Sequence, residues 1–127
     1  MLLVDDDPAL LEVLDVNLRD RGYETVARAR AEDAFAALAA EPVDVVITDL
    51  NLQGSSGLEL CEKIVRANPE IPVLVITGHG SLKTAVDAIR AGAYDFITKP
   101  FDLDVLDLAI ARALRHRRRS RRPAPQP

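Results

Sequence analysis

Short apolar runs in this chain end on residues that can handle phosphate. Leu2-Leu3-Val4 runs into Asp5, Asp6 and Asp7, and Val43–Thr48 into Asp49. Val73–Ile76 ends on Thr77, and Tyr94–Thr98 on Lys99. If these runs are strands of one open parallel sheet, their carboxyl ends share an edge, and that edge is where such sheets bind ligands. Asp5, Asp6 and Asp49 would repel one another there unless a cation intervened. A hard divalent ion with oxygen ligands suits the set, and Mg2+ takes a few carboxylates while keeping waters. Lys99 adds a second positive charge. A site half-neutralised in this way favours an incoming phosphoryl group, because the metal can bridge a carboxylate and a phosphoryl oxygen. Thr77 can donate its hydroxyl hydrogen to another phosphoryl oxygen. Asp49, nearest the centre of the sheet, is the carboxylate left to attack phosphorus, and carboxylates do serve as phosphoryl acceptors.

The pattern around these residues supplies the elements that must hold them. Strands are expected at 2–4 (β1), 23–27 (β2), 43–48 (β3), 73–77 (β4) and 94–98 (β5). Helices are expected at 8–21 (α1), 31–40 (α2), 57–68 (α3), 82–91 (α4) and 102–116 (α5). Leu10, Leu11, Leu14 and Leu18 mark the apolar stripe of α1, and Leu103, Leu106, Ile110 and Leu114 that of α5. Asp7-Pro8 reads as a helix cap followed by proline at the first helical position. Gly22 and Gly92 stand where helices stop. Continuous Val/Ile-rich strands alternating with helices imply a parallel sheet covered on both faces. Short right-handed crossovers then lead to a flavodoxin-like (βα)5 doubly wound α/β fold, strand order 2-1-3-4-5.

Composition narrows the function classes. The chain has 127 residues, 48% hydrophobic, enough for one domain but not two. Its five aromatics leave the core to Ala, Val, Leu and Ile. Cys61, the single cysteine, excludes an internal disulfide and reads as a core residue rather than a nucleophile. No apolar run approaches the ~20 residues of a membrane span, and no signal-peptide pattern opens the chain, so a cytoplasmic location without membrane contact is expected. Residues 1–111 hold all 20 acidic residues and nine of the 16 basic ones, while seven Arg fall between Arg112 and Arg122. An acidic body repels nucleic acid, so direct binding by the domain is not expected. The Arg run has no aromatic interleaving and reads as a basic helix end leading into a linker. The division expected is a domain at 1–117 and a basic, Pro-rich tail at 118–127, disordered from about 120.

VDDDP, TDLNLQGSSG, ITGHG and ITKPF, in that order, resemble the signature of response regulator receiver domains over about residues 1–117. The segment GSLKTAVDAIRAGAYDFITKPF most resembles receivers of nitrogen-regulatory transcription activators, which continue into ATPase and DNA-binding domains. The resemblance implies that Asp49 is the phospho-acceptor, Asp6 a direct Mg2+ ligand and Asp5 a ligand through water. It implies that the backbone carbonyl of Asn51 completes the protein ligands. Thr77 corresponds to the switch hydroxyl, Lys99 to the phosphate-pairing lysine, Lys99-Pro100 to a cis peptide, and Phe96 to an aromatic that turns inward when Thr77 moves. The implied partner is a sensor histidine kinase or phosphotransfer protein. The surface expected to change is the α4–β5–α5 face at about 81–117, which also offers a homodimer contact, and the implied output is one such as transcription.

The chain departs from the family at Leu52-Gln53, where Met-Pro is common, and the β3–α3 loop is expected to be more mobile. Gly78 replaces the usual Ala, loosening the backbone beside Thr77. Asn51 and His79 occupy positions that tune hydrolysis of the aspartyl phosphate in relatives. Two other readings stand beside the switch. A phosphate-independent interaction module would be marked by loss of site residues, and none is lost. A small-molecule phosphatase would need a second Asp two residues after the first, where Asn51 stands, and a cap domain. Accordingly the chain is expected to assist its own phosphorylation rather than turn over as an enzyme.

Overall fold

A computed structural model describes residues 1–52, 55–78 and 82–121. Its central sheet pairs β1 (Leu2–Val4), β2 (Val26–Arg28), β3 (Val46–Asp49), β4 (Val73–Thr77) and β5 (Asp95–Thr98). All pairs are parallel and the order is β2-β1-β3-β4-β5, as the alternation of strands and helices predicts. The helices are α1 (Pro8–Asp20), α2 (Ala31–Ala40), α3 (Gly57–Ala67), α4 (Leu82–Arg90) and α5 (Leu103–Arg121).

Alternation along the strands divides the core in two. Leu2, Val4, Val46, Val73 and Val75 face α2, α3 and α4, where Ala34, Leu38, Leu60, Cys61, Ile64 and Ala88 meet them. Leu3, Ile47, Leu74, Ile76 and Ile97 face the other way, onto Leu14 and Leu18 of α1 and Leu106, Ile110 and Ala113 of α5. A fully buried side chain of this size contributes roughly 1.5–3 kcal/mol. Small residues on α2 and α4 bring those helices close to the sheet.

The ends of the helices follow from the sequence. Asp7 Oδ1 accepts from the Ala9 amide at 3.0 Å, capping α1 ahead of Pro8. Gly22 and Gly92 adopt φ of +97° and +105°, a backbone region that a β-carbon disfavours. At Gly92 an added Cβ would also stand 2.8 Å from Val65 Cγ1.

Four features differ from expectation. β2 starts at Val26 rather than at residue 23, because the preceding residues serve α1. The Tyr23 amide donates to Leu18 O, and the Thr25 hydroxyl pairs with Asp15. β3 starts at Val46 and includes Asp49. A short antiparallel ribbon follows it, pairing Asn51 with Ser56 and Leu52 with Ser55, where only a mobile loop was expected. α5 runs to Arg121, well beyond residue 116, so the first part of the basic segment is helical. Gln53, His79 and the remainder of the tail, 122–127, lie outside the described residues.

Candidate functional site

Register brings the chemistry-bearing residues to one edge. Thr48 lies opposite Val4, so Asp5 and Asp49 leave adjacent strands at the same height. Asp49 lies opposite Ile76, one residue before Thr77, and Thr77 lies opposite Thr98, one residue before Lys99. The Lys99 amide donates to Thr77 O at 2.8 Å, fixing the start of the lysine side chain. The Lys99–Pro100 peptide is cis, as expected.

Asp5 and Asp49 are buried, at 1% and 5% exposure, and Asp6 is half-buried beside them. One carboxylate oxygen from each of the three lies within 4.8 Å of the others. Lys99 Nζ donates to Asp49 Oδ2 at 2.7 Å and stands 3.7 Å from Asp5 Oδ2. Asp49 Oδ1 accepts from the Asn51 amide, and Asp5 Oδ1 from the Asp7 amide, both at 2.9 Å. Each acid is therefore oriented by the backbone two residues ahead, while the other oxygen points into the site.

The electrostatics leave a deficit of positive charge. Burial pushes the Asp5 carboxyl up to about 6, and nearby Asp49 adds to the rise; the Asp7 amide and Lys99 oppose it. Burial alone would lower Lys99, but the hydrogen bond to Asp49 and the two carboxylates outweigh it, so its ammonium is held above its ordinary range. Lys99 thus serves Asp49 and Asp5 together.

Among the described residues, two buried oxygens lack hydrogen-bond partners, Asp5 Oδ2 and Thr77 Oγ1. Such atoms are rare in native interiors and call for a missing partner. Clustered carboxylate oxygens with one orphan fit a hard, oxygen-seeking cation, so the residues present suit Mg2+. The Thr77 hydroxyl, with no acceptor of its own, is available to an incoming oxygen.

Phe96 is half-buried on β5, opposite Val75, and packs against the cluster on the α3–α4 side of the sheet. The structure thus gathers Asp5, Asp6, Asp49, Asn51, Thr77 and Lys99 at the edge and sets Phe96 one strand pair behind.

Sequence reasoning passed over Gly57. Its amide donates to Leu50 O at 3.0 Å, and an added Cβ would lie 2.0 Å from Asp49 O and 2.6 Å from Leu50 Cα. Any side chain there would displace the backbone of the central carboxylate. The glycine opening α3 was the available signal, but its partner is eight residues back and invisible to local pattern. Arg117 was likewise read only as part of a basic helix end leading into a linker. It is buried instead, and its Nη1 donates to Val43 O at 2.8 Å.

A family model described as the response regulator receiver domain matches residues 1–111. The chain is 42% identical over 124 residues to the response regulator protein PilR of Pseudomonas aeruginosa, covering 98% of this chain and 28% of that protein. It is 45% identical over 116 residues to the nitrogen assimilation regulatory protein NtrX of Azorhizobium caulinodans, covering 90% and 26%. Among solved structures, the receiver domain of NtrX from Brucella abortus superposes with a TM-score of 0.86 at 45% identity, covering 90% of this chain and 97% of that one. The chain spans about a quarter of the length of these curated relatives.

Proposed function

The chain belongs to the response regulator receiver domains of two-component signalling, and from that premise we propose that it accepts a phosphoryl group on Asp49 from a phosphohistidine of a partner protein. The observation that carries this reading is the 2.7 Å contact of Lys99 Nζ with Asp49 Oδ2, inside a pocket where three carboxylates converge.

The step is a displacement at phosphorus. An Asp49 carboxylate oxygen forms the new P–O bond, the P–N bond to the donor imidazole breaks, and the electron pair stays on the ring nitrogen, which takes up a proton. Lys99 gives up part of its contact with Asp49 and pairs with a phosphoryl oxygen. Thr77, now without an acceptor, donates its hydroxyl to another. Asp5, Asp6, Asp49 and the Asn51 carbonyl would hold Mg2+, which when bound neutralises charge on the phosphoryl oxygens. Movement of Thr77 frees space behind it for Phe96. Chemistry of this kind is single-event signalling rather than turnover.

The partner is a sensor histidine kinase or phosphotransfer protein. An apolar groove of about 500 Å³, lined by Leu10, Val13, Leu14, Pro100, Phe101 and Leu103, opens beside Lys99 and gives such a donor a place to rest. The α4–β5–α5 face carries the output, including a homodimer contact. Five of its large apolar side chains are exposed: Leu82, Val86, Ile89, Val105 and Leu108. The receiver unit spans 1–117, with 118–127 as a basic, Pro-rich tail or linker in the sequence. The acidic body argues against direct nucleic-acid binding, and transcriptional control would belong to further segments. Among the described residues no helix is long and apolar enough to cross a membrane, and the domain's place is the cytoplasm.

The test is incubation with Mg2+ and acetyl phosphate, followed by intact mass. One phosphate is expected on the wild type and none on Asp49→Asn. No adduct on the wild type would leave the phosphate-independent interaction module as the reading.

A further inference from the structure

The apolar stripe of α5 runs Leu106, Ile110, Ala113, and its next position is Arg117. An arginine thus replaces a core hydrophobe at the base of the sheet, opposite the carboxylate edge. It is only 7% exposed, and Nη1 donates to Val43 O at 2.8 Å. Nε has no hydrogen-bond partner among the described residues, but Asp44 Oδ1, on a side chain that is 64% exposed, stands at ion-pair distance from it, 3.6 Å. A buried guanidinium is tolerated only when paired, so this position is committed to the turn that leads into β3, the strand ending at Asp49.

Length explains what the contact accomplishes. The 19 residues of α5 extend about 28 Å at 1.5 Å per residue. The five residues of β4 extend about 16 Å. The helix is therefore longer than the strands it packs on. Isolated helical segments shorter than about 12–15 residues are marginal in water. Residues 114–121 continue a helix already nucleated by 103–113, and two contacts join this end to the domain. Arg117 on Val43 is one tie, and the His116 ring set 4.9 Å from that of Tyr94, the residue just before β5, is a second.

We infer that Arg117 is a clasp joining the end of α5 to the amino end of the phospho-acceptor strand, so that the helix leaves the domain as a rigid lever with a set direction. The end of α5, to Arg121, is then oriented by the domain. Arg117 acts as a positioning residue and takes no part in phosphoryl transfer.

Hydrogen exchange on the 127-residue protein tests this. Arg117→Met keeps an unbranched apolar stem and removes the guanidinium with its donors. Amides of 115–121 are expected to exchange about tenfold faster or more, with 104–112 and β3 within about twofold of wild type. Phosphate incorporation from acetyl phosphate should be unchanged. Unchanged protection at 115–121, or an equal loss throughout the chain, would overturn the clasp. If the Met variant fails to fold, Arg117→Lys answers the same question: its shorter ammonium cannot serve both Val43 and Asp44, and a loss confined to 115–121 is expected, its absence counting against us. Spin labels on Asp20→Cys and Ser120→Cys add a direct measure of direction. A narrow distance distribution that broadens with Arg117→Met supports the lever; equal widths refute it.

Discussion

Two carboxylate clusters on this domain use the same residue type to opposite ends. At the sheet edge, Asp5 is buried, has one unpartnered oxygen, and is pushed up to about 6 by its burial. On the flank, Asp107 accepts from Tyr23 Oη at 2.7 Å and from Arg21 Nη1 at 3.0 Å, while Arg21 Nη2 donates to Asp104 at 2.9 Å. There the hydrogen bond from Tyr23 is the leading cause of a lowered Asp107 carboxyl, and Arg21 adds to it. The flank cluster ties the end of α1 to α5 and has its charges satisfied. The edge cluster is held in place by the surrounding fold while Asp5 keeps a buried oxygen without a hydrogen-bond partner. Stability and reactivity are therefore separated in space, and identical substitutions should have opposite signs in the two places.

The largest effect should come from the backbone beneath the edge. Gly57→Ala forces a methyl into Asp49 O and is expected to cost about 3 kcal/mol, with a large loss of phosphate incorporation. Urea unfolding and intact mass after acetyl phosphate measure the two losses. A neutral result would mean that the edge can yield without harm.

Asp5→Asn comes next and carries the sign of the comparison. Removing a buried, under-partnered charge should stabilise the metal-free domain by about 1–2 kcal/mol while abolishing stabilisation by Mg2+. Thermal unfolding with and without Mg2+ reads both effects. Because the Asp5 carboxyl lies above its unfolded value, the stability tied to its protonated form is fully present below about pH 4 and lost as pH rises through about 6. The metal-free wild type should weaken over that window, and the variant should not.

Asp107→Asn should do the reverse and destabilise by about 1 kcal/mol, a modest figure because a third of the side chain meets solvent. Stabilisation would erase the contrast with Asp5. The pH dependence also inverts. The folded Asp107 carboxyl lies below its unfolded value, so its contribution is present above about pH 4 and lost as pH falls through the lowered value. Tyr23→Phe should remove most of that acid-side loss in a pH series of urea midpoints. Tyr23 itself is pushed up to about 12 by burial and by Asp107, so its own contribution holds to about pH 10 and fades above it.

The smallest effect marks a face that belongs to neither cluster. Val105→Asp with Leu108→Asp on exposed positions of α5 should change monomer stability by less than about 0.5 kcal/mol. Sedimentation would show loss of self-association if the α4–β5–α5 face pairs two copies.

Much of the fold was legible because strand ends are marked chemically. Asp5, Asp49, Thr77 and Lys99 each end an apolar run, and parallel register does the rest. Asp7-Pro8, Gly22 and Gly92 located helix ends because cap and left-handed backbone demands are local. The start of β2 was misread because Tyr23 and Thr25 look like strand residues, whereas tertiary contacts with α1 claim them. Gly57 escaped because its constraint comes from Asp49 and Leu50 across a turn. Arg117 escaped because charge suggests solvent, although its spacing from Ala113 and Ile110 continues the buried stripe. That periodicity was the signal that could have found it.

Cys61, packed at 0% exposure between α3 and the sheet, has one further consequence. Burial pushes its thiol up to about 11, so almost no thiolate exists at neutral pH. Oxidants and electrophiles act on the thiolate and need access to it. The domain thus offers no redox handle of its own, and oxidative stress and phosphoryl input would not be confused at this core. The same inertness leaves the folded chain silent to thiol reagents, so a cysteine introduced at the surface would report alone.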